Sequence, residues 1–240
     1  MRMYTKAGRS RWPYVIGGAV VVVAVAGGIV YSSAQPGGDP AAVASSEPTP
    51  SASAPSDGGS SGAGDDDDGV APTGCLGGQD RNALMVQDAQ KGASHTTYGA
   101  VEVATSFYRF YWQYPYAPAD QLDAVSSGVI GSNAPDSFKQ LATSFEAVGD
   151  NPTGGKIAAG TPFHMSSTNG LWRVSEESTP DRIIVSLAAG YVIDGALSPT
   201  EVGVGGFVMV WENDAWHVES GITPDQDLLA AGGTRYTGGC

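Results

Sequence analysis

Asp194 and His217 are the carboxylate and imidazole best placed for acid–base work, since both fall on segments whose apolar residues alternate as in a strand. Glu102 and Arg109 add an acid and a base to the longest helical stretch. Each has a plainer reading. Asp194 stands before Gly195 at a strand end, and His217 faces solvent between Trp216 and Val218. Glu102 and Arg109, seven residues apart, mark the wet stripe of their helix. The chain holds no serine nucleophile elbow, phosphate loop or dinucleotide fingerprint, and Gly203-Val204-Gly205-Gly206 reads as a bent or bulged strand. The expectation is a chain without catalytic residues and without a cofactor.

A metal site is not expected either. His95, His164 and His217 share no ligand spacing with a cysteine. The run Asp65-Asp66-Asp67-Asp68-Gly69 lacks the alternating oxygens, sixth-position glycine and late glutamate of a calcium loop. Two cysteines, Cys75 and Cys240, bracket the globular part, and an even count in an exported domain reads as a disulfide. The densest aromatic group is Tyr108, Tyr111, Trp112, Tyr114 and Tyr116. It reads as core, except that the end around Tyr114-Pro115-Tyr116 is placed to be exposed where the helix stops, as a pocket wall or partner anchor.

These residues sit in a chain of four parts. Residues 1–13 and the following apolar run hold Arg2, Lys6, Arg9 and Arg11 and no acid, 32–73 hold seven acids and no base, and 74–240 hold eighteen acids against eight bases. Phosphate contact needs bases on the domain that binds, so no direct nucleic-acid partner is expected. The run 14–31 has no charge and, at about 1.5 Å per residue, is just long enough to span a bilayer with its uncharged flanks. It reads as an uncleaved transmembrane helix with a cytoplasmic basic tail at 1–13, everything beyond it being extracytoplasmic; a cleaved secretory signal is the competing reading. Residues 32–73, rich in Ser, Gly, Pro and Asp, bury too little to fold and read as a disordered linker.

The body, 74–240, begins with helical spacing. Gly99 caps a long helix with Glu102 reaching back, and Pro115 stops it. A short second helix starts at Pro118 and carries Leu122, Val125 and Val129. A third runs from Pro135 through Phe138, Leu141, Phe145 and Val148 to Gly149. Strands are expected at 156–165, 171–176, 182–193, 202–212 and 215–220, with Asn169-Gly170 and Asn213-Asp214 as hairpin turns. A short helix and a tail follow Pro224. Helices first and then a meander indicate an α+β domain of about three helices packed on a curved antiparallel sheet.

The aromatic helix AVEVATSFYRFYWQYPY (100–116), the two helices after it and a meander ending in FVMVWENDAWHVES (207–220) resemble a cone-shaped nuclear transport factor 2-like domain over about 97–221. With one span and a tether, the chain resembles bitopic scaffold subunits of conjugative and type IV secretion systems in Gram-positive bacteria, and mammalian-cell-entry-associated membrane proteins of actinobacteria. The resemblance implies a non-catalytic, membrane-anchored assembly subunit of a cell-envelope transfer complex. Its implied partners are other envelope transfer proteins, with a second copy of the chain as a further candidate. The alternative is a small-molecule or lipid-binding cone, or an enzymatic one.

Overall fold

The computed structural model describes residues 69–225 and 229–240. The tail 1–13, the apolar run 14–31 and the linker up to residue 68 lie outside the described residues, and among the described residues no helix is long and apolar enough to cross a membrane. The elements, in order, are α1 (Ala83–Gly92), α2 (Thr97–Tyr111), β1 (Gln113–Tyr114), α3 (Ala119–Gly128), α4 (Asp136–Lys139), α5 (Leu141–Val148), β2 (Phe163–Val174), β3 (Arg182–Ile193), β4 (Ala196–Glu212), β5 (Ala215–Ile222) and β6 (Thr234–Arg235). The architecture is α+β, with a curled antiparallel sheet in the order β1-β2-β3-β4-β5. β6 pairs with β2 at Leu171 and Trp172, sharing with β1 the edge of β2 that β3 does not use.

The curl has a local cause on both sides of β3. Ser167 to Gly170 of β2 stand opposite Ala189 alone, and Ser198 to Glu201 of β4 stand opposite Tyr191 alone. Extra residues on the outer strands bend and twist a sheet about the strand between them. Asn169-Gly170 therefore belongs to a bulge within one strand: the chain keeps its direction and pairs with β3 on either side, so β2 runs from Phe163 to Val174 and joins the end of the expected 156–165 strand to the one at 171–176, while residues 156–162, expected as strand, are turn and loop. The true two-residue turns are Asp194-Gly195 and Asn213-Asp214, all four residues with positive φ, as the twist of a tight hairpin demands.

α2 lies in the concavity of the sheet, every residue from Gly99 to Phe110 being buried. It starts earlier than its sequence suggests. Thr96 is the N-cap, its hydroxyl accepting from Gly99 N–H at 3.1 Å, so Glu102 falls inside the helix and is released from any capping role. α1 has no counterpart among the three expected helices. Its signal is Asn82, whose side chain accepts from Met85 N–H at 2.9 Å, followed by buried Ala83, Val86 and Ala89 at helical spacing. The expected third helix is two, α4 and α5, broken at Gln140. There the Ser126 hydroxyl of α3 donates to Phe138 O and accepts from Leu141 N–H, both at 3.2 Å, replacing helical bonds with tertiary ones.

Candidate functional site

The polar residues of α2 form a buried stripe that grips the loop at 73–79. The Glu102 carboxylate accepts from Thr73 N–H, the Thr73 hydroxyl, Gly74 N–H and Leu76 N–H. One turn on, the Ser106 hydroxyl donates to Leu76 O at 2.7 Å. Arg109 completes the stripe, donating from Nη1 to Gly78 O at 3.0 Å and from Nη2 to Gln79 O at 3.2 Å. Glu102 is 8% exposed and Arg109 0%, so the expected wet stripe is a buried clasp. Desolvation, with nearby Arg81, lowers Arg109 to about 10, Glu102 pulling the other way, so the guanidinium stays charged at neutral pH.

The same loop carries Cys75, whose disulfide to Cys240 has Cα atoms 5.6 Å apart. The Gly74 loop and the C-terminal Cys240 both meet the bulge of β2. Ser167 N–H donates to Cys240 O at 2.9 Å, Cys240 N–H donates to the Ser167 hydroxyl at 2.9 Å, and that hydroxyl donates to Gly74 O at 2.9 Å. Thr237 N–H reaches Pro72 O, so ordered packing already includes Pro72 and Thr73.

Between α2 and the sheet, where a cone-shaped domain would hold a ligand, Tyr108 lies against Gly203 and Gly205 of β4. A Cβ on Gly203 would stand 2.7 Å from the Tyr108 hydroxyl, and one on Gly205 would stand 2.9 Å from its ring. Those glycines make the close approach possible, and β4 pairs with β3 without a register break from Val202 to Val210. Tyr108 and Trp112 are buried beside Met165 and Tyr191, with Trp112 Nε1 donating to the Tyr191 hydroxyl at 2.8 Å.

From there an aromatic column runs outward. Phe207 meets Phe107, Phe107 meets Tyr111, Tyr111 meets Phe145, and Phe145 stacks on Tyr116 at a centroid distance of 4.4 Å. Tyr114 stands edge-on to Tyr116 at 5.6 Å, across a cis peptide before Pro115. Tyr114, Tyr116 and Phe145 line an open groove of about 490 Å³ with Leu122 and Ala142, its rim carrying Glu146 and Asp150. The Tyr116 hydroxyl is buried without a hydrogen-bond partner among the described residues, and burial, with Tyr111, Tyr114 and Asp150 nearby, pushes it up to about 12. The five aromatics thus divide: Tyr108 and Trp112 are core, Tyr111 links, and Tyr114 and Tyr116 reach the groove.

The acid–base candidates do not converge. Asp194 is exposed in the β3–β4 turn. His217 lies on β5, where Gln90 Nε2 of α1 is 3.4 Å from its Nδ1. The histidine that meets a carboxylate is His95, with Nε2 2.8 Å from Asp181 Oδ1 and its ring stacked on Trp211 at 4.2 Å. The pair is exposed and fastens the α1–α2 connection to the sheet. Among the described residues, no three His, Cys, Asp or Glu side chains are grouped to hold a metal ion. His164, paired in register with Gln113 of β1, is pushed down to about 4 by burial and by the charges of Arg81 and Arg109. No protein-family model, curated protein or solved structure matches the chain.

Proposed function

We propose that the chain is a non-catalytic, membrane-anchored assembly subunit of a cell-envelope transfer complex, conjugative or secretory, whose extracytoplasmic domain docks a partner through the Tyr114–Tyr116 groove. The observation that carries this reading is the division of the aromatic cluster. Tyr108 occupies the concave face that a pocket enzyme or a lipid-binding cone needs open, while Tyr114 and Tyr116 stay at an open groove. Interface anchors favour tyrosine because it supplies large contact area with few rotatable bonds. The α+β order with a long helix in a curled sheet is consistent with a nuclear transport factor 2-like cone, and the basic tail, apolar run and acidic linker favour a single-pass protein with its body outside.

Placement of the groove supports the same reading. The loop joined to the linker is clasped by Glu102, in the N-terminal half of α2, and the groove opens past its C-terminal end. The nine-residue helical step from Glu102 to Tyr111, where α2 ends, is on the order of 14 Å. The partner surface is thereby held away from the point of attachment. Cross-linking in intact membranes should recover an envelope protein with the native chain and lose it with Y114A/Y116A. D194A and H217A, each folded, should leave transfer or secretion intact. Loss of transfer from either of these, or an unchanged cross-link in Y114A/Y116A, overturns the reading. Protease added to cells stripped of their wall should remove the body, and full protection overturns the topology.

A further inference from the structure

We infer that the groove receives an extended segment of a partner protein that places an arginine or lysine side chain between the rings of Tyr114, Tyr116 and Phe145 and the carboxylates of Glu146 and Asp150. The inference rests on the docking reading above and names the chemistry of the occupant. The first ground is charge. The groove lining contains Glu146 and Asp150, both exposed, and no lysine, arginine or histidine. Two carboxylates beside aromatic faces attract a cation twice, through Coulomb attraction and through the ring quadrupole, and an arginine stem also covers apolar surface such as Leu122 and Ala142.

The second ground is planarity: Tyr114, Tyr116 and Phe145 supply three rings to this lining, with Phe145 stacked on Tyr116 at a centroid distance of 4.4 Å. A guanidinium is planar and stacks on aromatic rings, which favours arginine among the cations. The third ground excludes the nearest competitor. The chain's own linker at 32–73 carries seven acids and no base, so it is repelled by Glu146 and Asp150. Across 74–240 acids outnumber bases eighteen to eight, and that field draws a basic segment from solution and speeds its encounter.

The test uses the full chain in detergent and short fluorescent peptides alternating alanine with arginine, with its neutral isostere citrulline, or with glutamate. The arginine peptide should bind, weaken as salt rises, and weaken about tenfold with E146Q/D150N, a loss of about 1.4 kcal/mol. Y116A should weaken it comparably, and the two exposed carboxylates decide the matter where Y116A fails to fold. The citrulline and glutamate peptides should bind at least about tenfold less. Equal binding of citrulline overturns the inference, as does an equal loss with E176Q/E177Q, which removes acids at the β2–β3 turn and leaves the groove intact. If Y116A loses the membrane cross-link but holds the arginine peptide, this inference falls and the docking reading stands. If Y116A loses the peptide but keeps the cross-link, the docking reading falls. A dimer that dissociates with E146Q/D150N makes the occupant a second copy and overturns the assignment to another protein.

Discussion

Glu102 and Arg109, two turns apart on one face of α2, hold opposite ends of a single loop: the carboxylate takes the amides of Thr73, Gly74 and Leu76, and the guanidinium takes the carbonyls of Gly78 and Gln79. Neither charge is spent on the other. Each satisfies backbone groups that would otherwise be desolvated and unpaired, which makes this pair of buried charges a fixture for the segment leading into the fold.

Replacing Glu102 by alanine leaves several amides without an acceptor and should cost about 3 kcal/mol, with E102Q, which keeps one oxygen acceptor, losing less. Urea denaturation of the two variants measures the difference. Limited proteolysis should show new cleavage within 73–79 in E102A before the remainder of the domain is cut. An unchanged denaturation midpoint in E102A would mean that the clasp contributes nothing.

Opening the Cys75–Cys240 bridge, by reductant or by C75S/C240S, should lower stability by about 2–5 kcal/mol, because the closed loop spans 165 residues of sequence separation and restrains the denatured chain. Chemical denaturation with and without reductant reads the effect on the native chain, and C75S/C240S should then be insensitive to reductant. Equal stability of the oxidised and reduced forms would contradict this.

At Gly203 an added methyl meets the Tyr108 hydroxyl at 2.7 Å and Met165 Cε at 2.6 Å, so G203A should destabilise by about 1–3 kcal/mol. Removing the hydroxyl relieves one of the two clashes, so the Y108F/G203A pair should recover part of the loss, a non-additivity that a double-mutant cycle detects. Strict additivity would place Tyr108 elsewhere than on β4.

His164 predicts a pH dependence. Its folded value, about 4, is below the ordinary histidine value of about 6.5 in the unfolded chain, so the unfolded chain binds the extra proton between them. Stability falls as pH drops from about 6.5 toward about 4 and is unaffected by this group above that window. H164Q should flatten that part of the profile relative to the native chain, as measured by urea midpoints across the window; parallel profiles for the two proteins would refute it.

Much of the fold was readable from spacing alone. β3 and the Asn213-Asp214 turn follow from alternation and from residues that tolerate positive φ, and the cysteine pair follows from its count and position. What was not readable depended on partners distant in sequence. Glu102 and Arg109 have the spacing of a solvated stripe, and nothing local tells that the 73–79 loop covers them. Asn169-Gly170 has hairpin chemistry, yet it sits in a bulge of one strand where Gly74 and Cys240 bond to Ser167. Ser126 divides a helix that local pattern runs straight through. In the aromatic cluster, the helix end separated Tyr114 and Tyr116 from the buried rings, whereas the acidic rim from α5 and the segment after it was not visible, because Glu146 and Asp150 lie thirty residues on.

The bridge at Cys75 also determines how the domain bears tension. With a partner seated at the groove as proposed, a pull on the chain ahead of Gly69 is resisted past the C-terminal end of α2. Thr73 and Gly74 lie ahead of Cys75 and leave Glu102 first in either case; without the bridge the pull would go on to Leu76 and the loop behind it, one bond after another, as a zip opens. With it, load arriving at Cys75 passes through the sulfurs into Cys240, whose backbone is bonded in both directions to Ser167 of β2. The force is divided between α2 and the sheet, and the bonds on both paths must yield together.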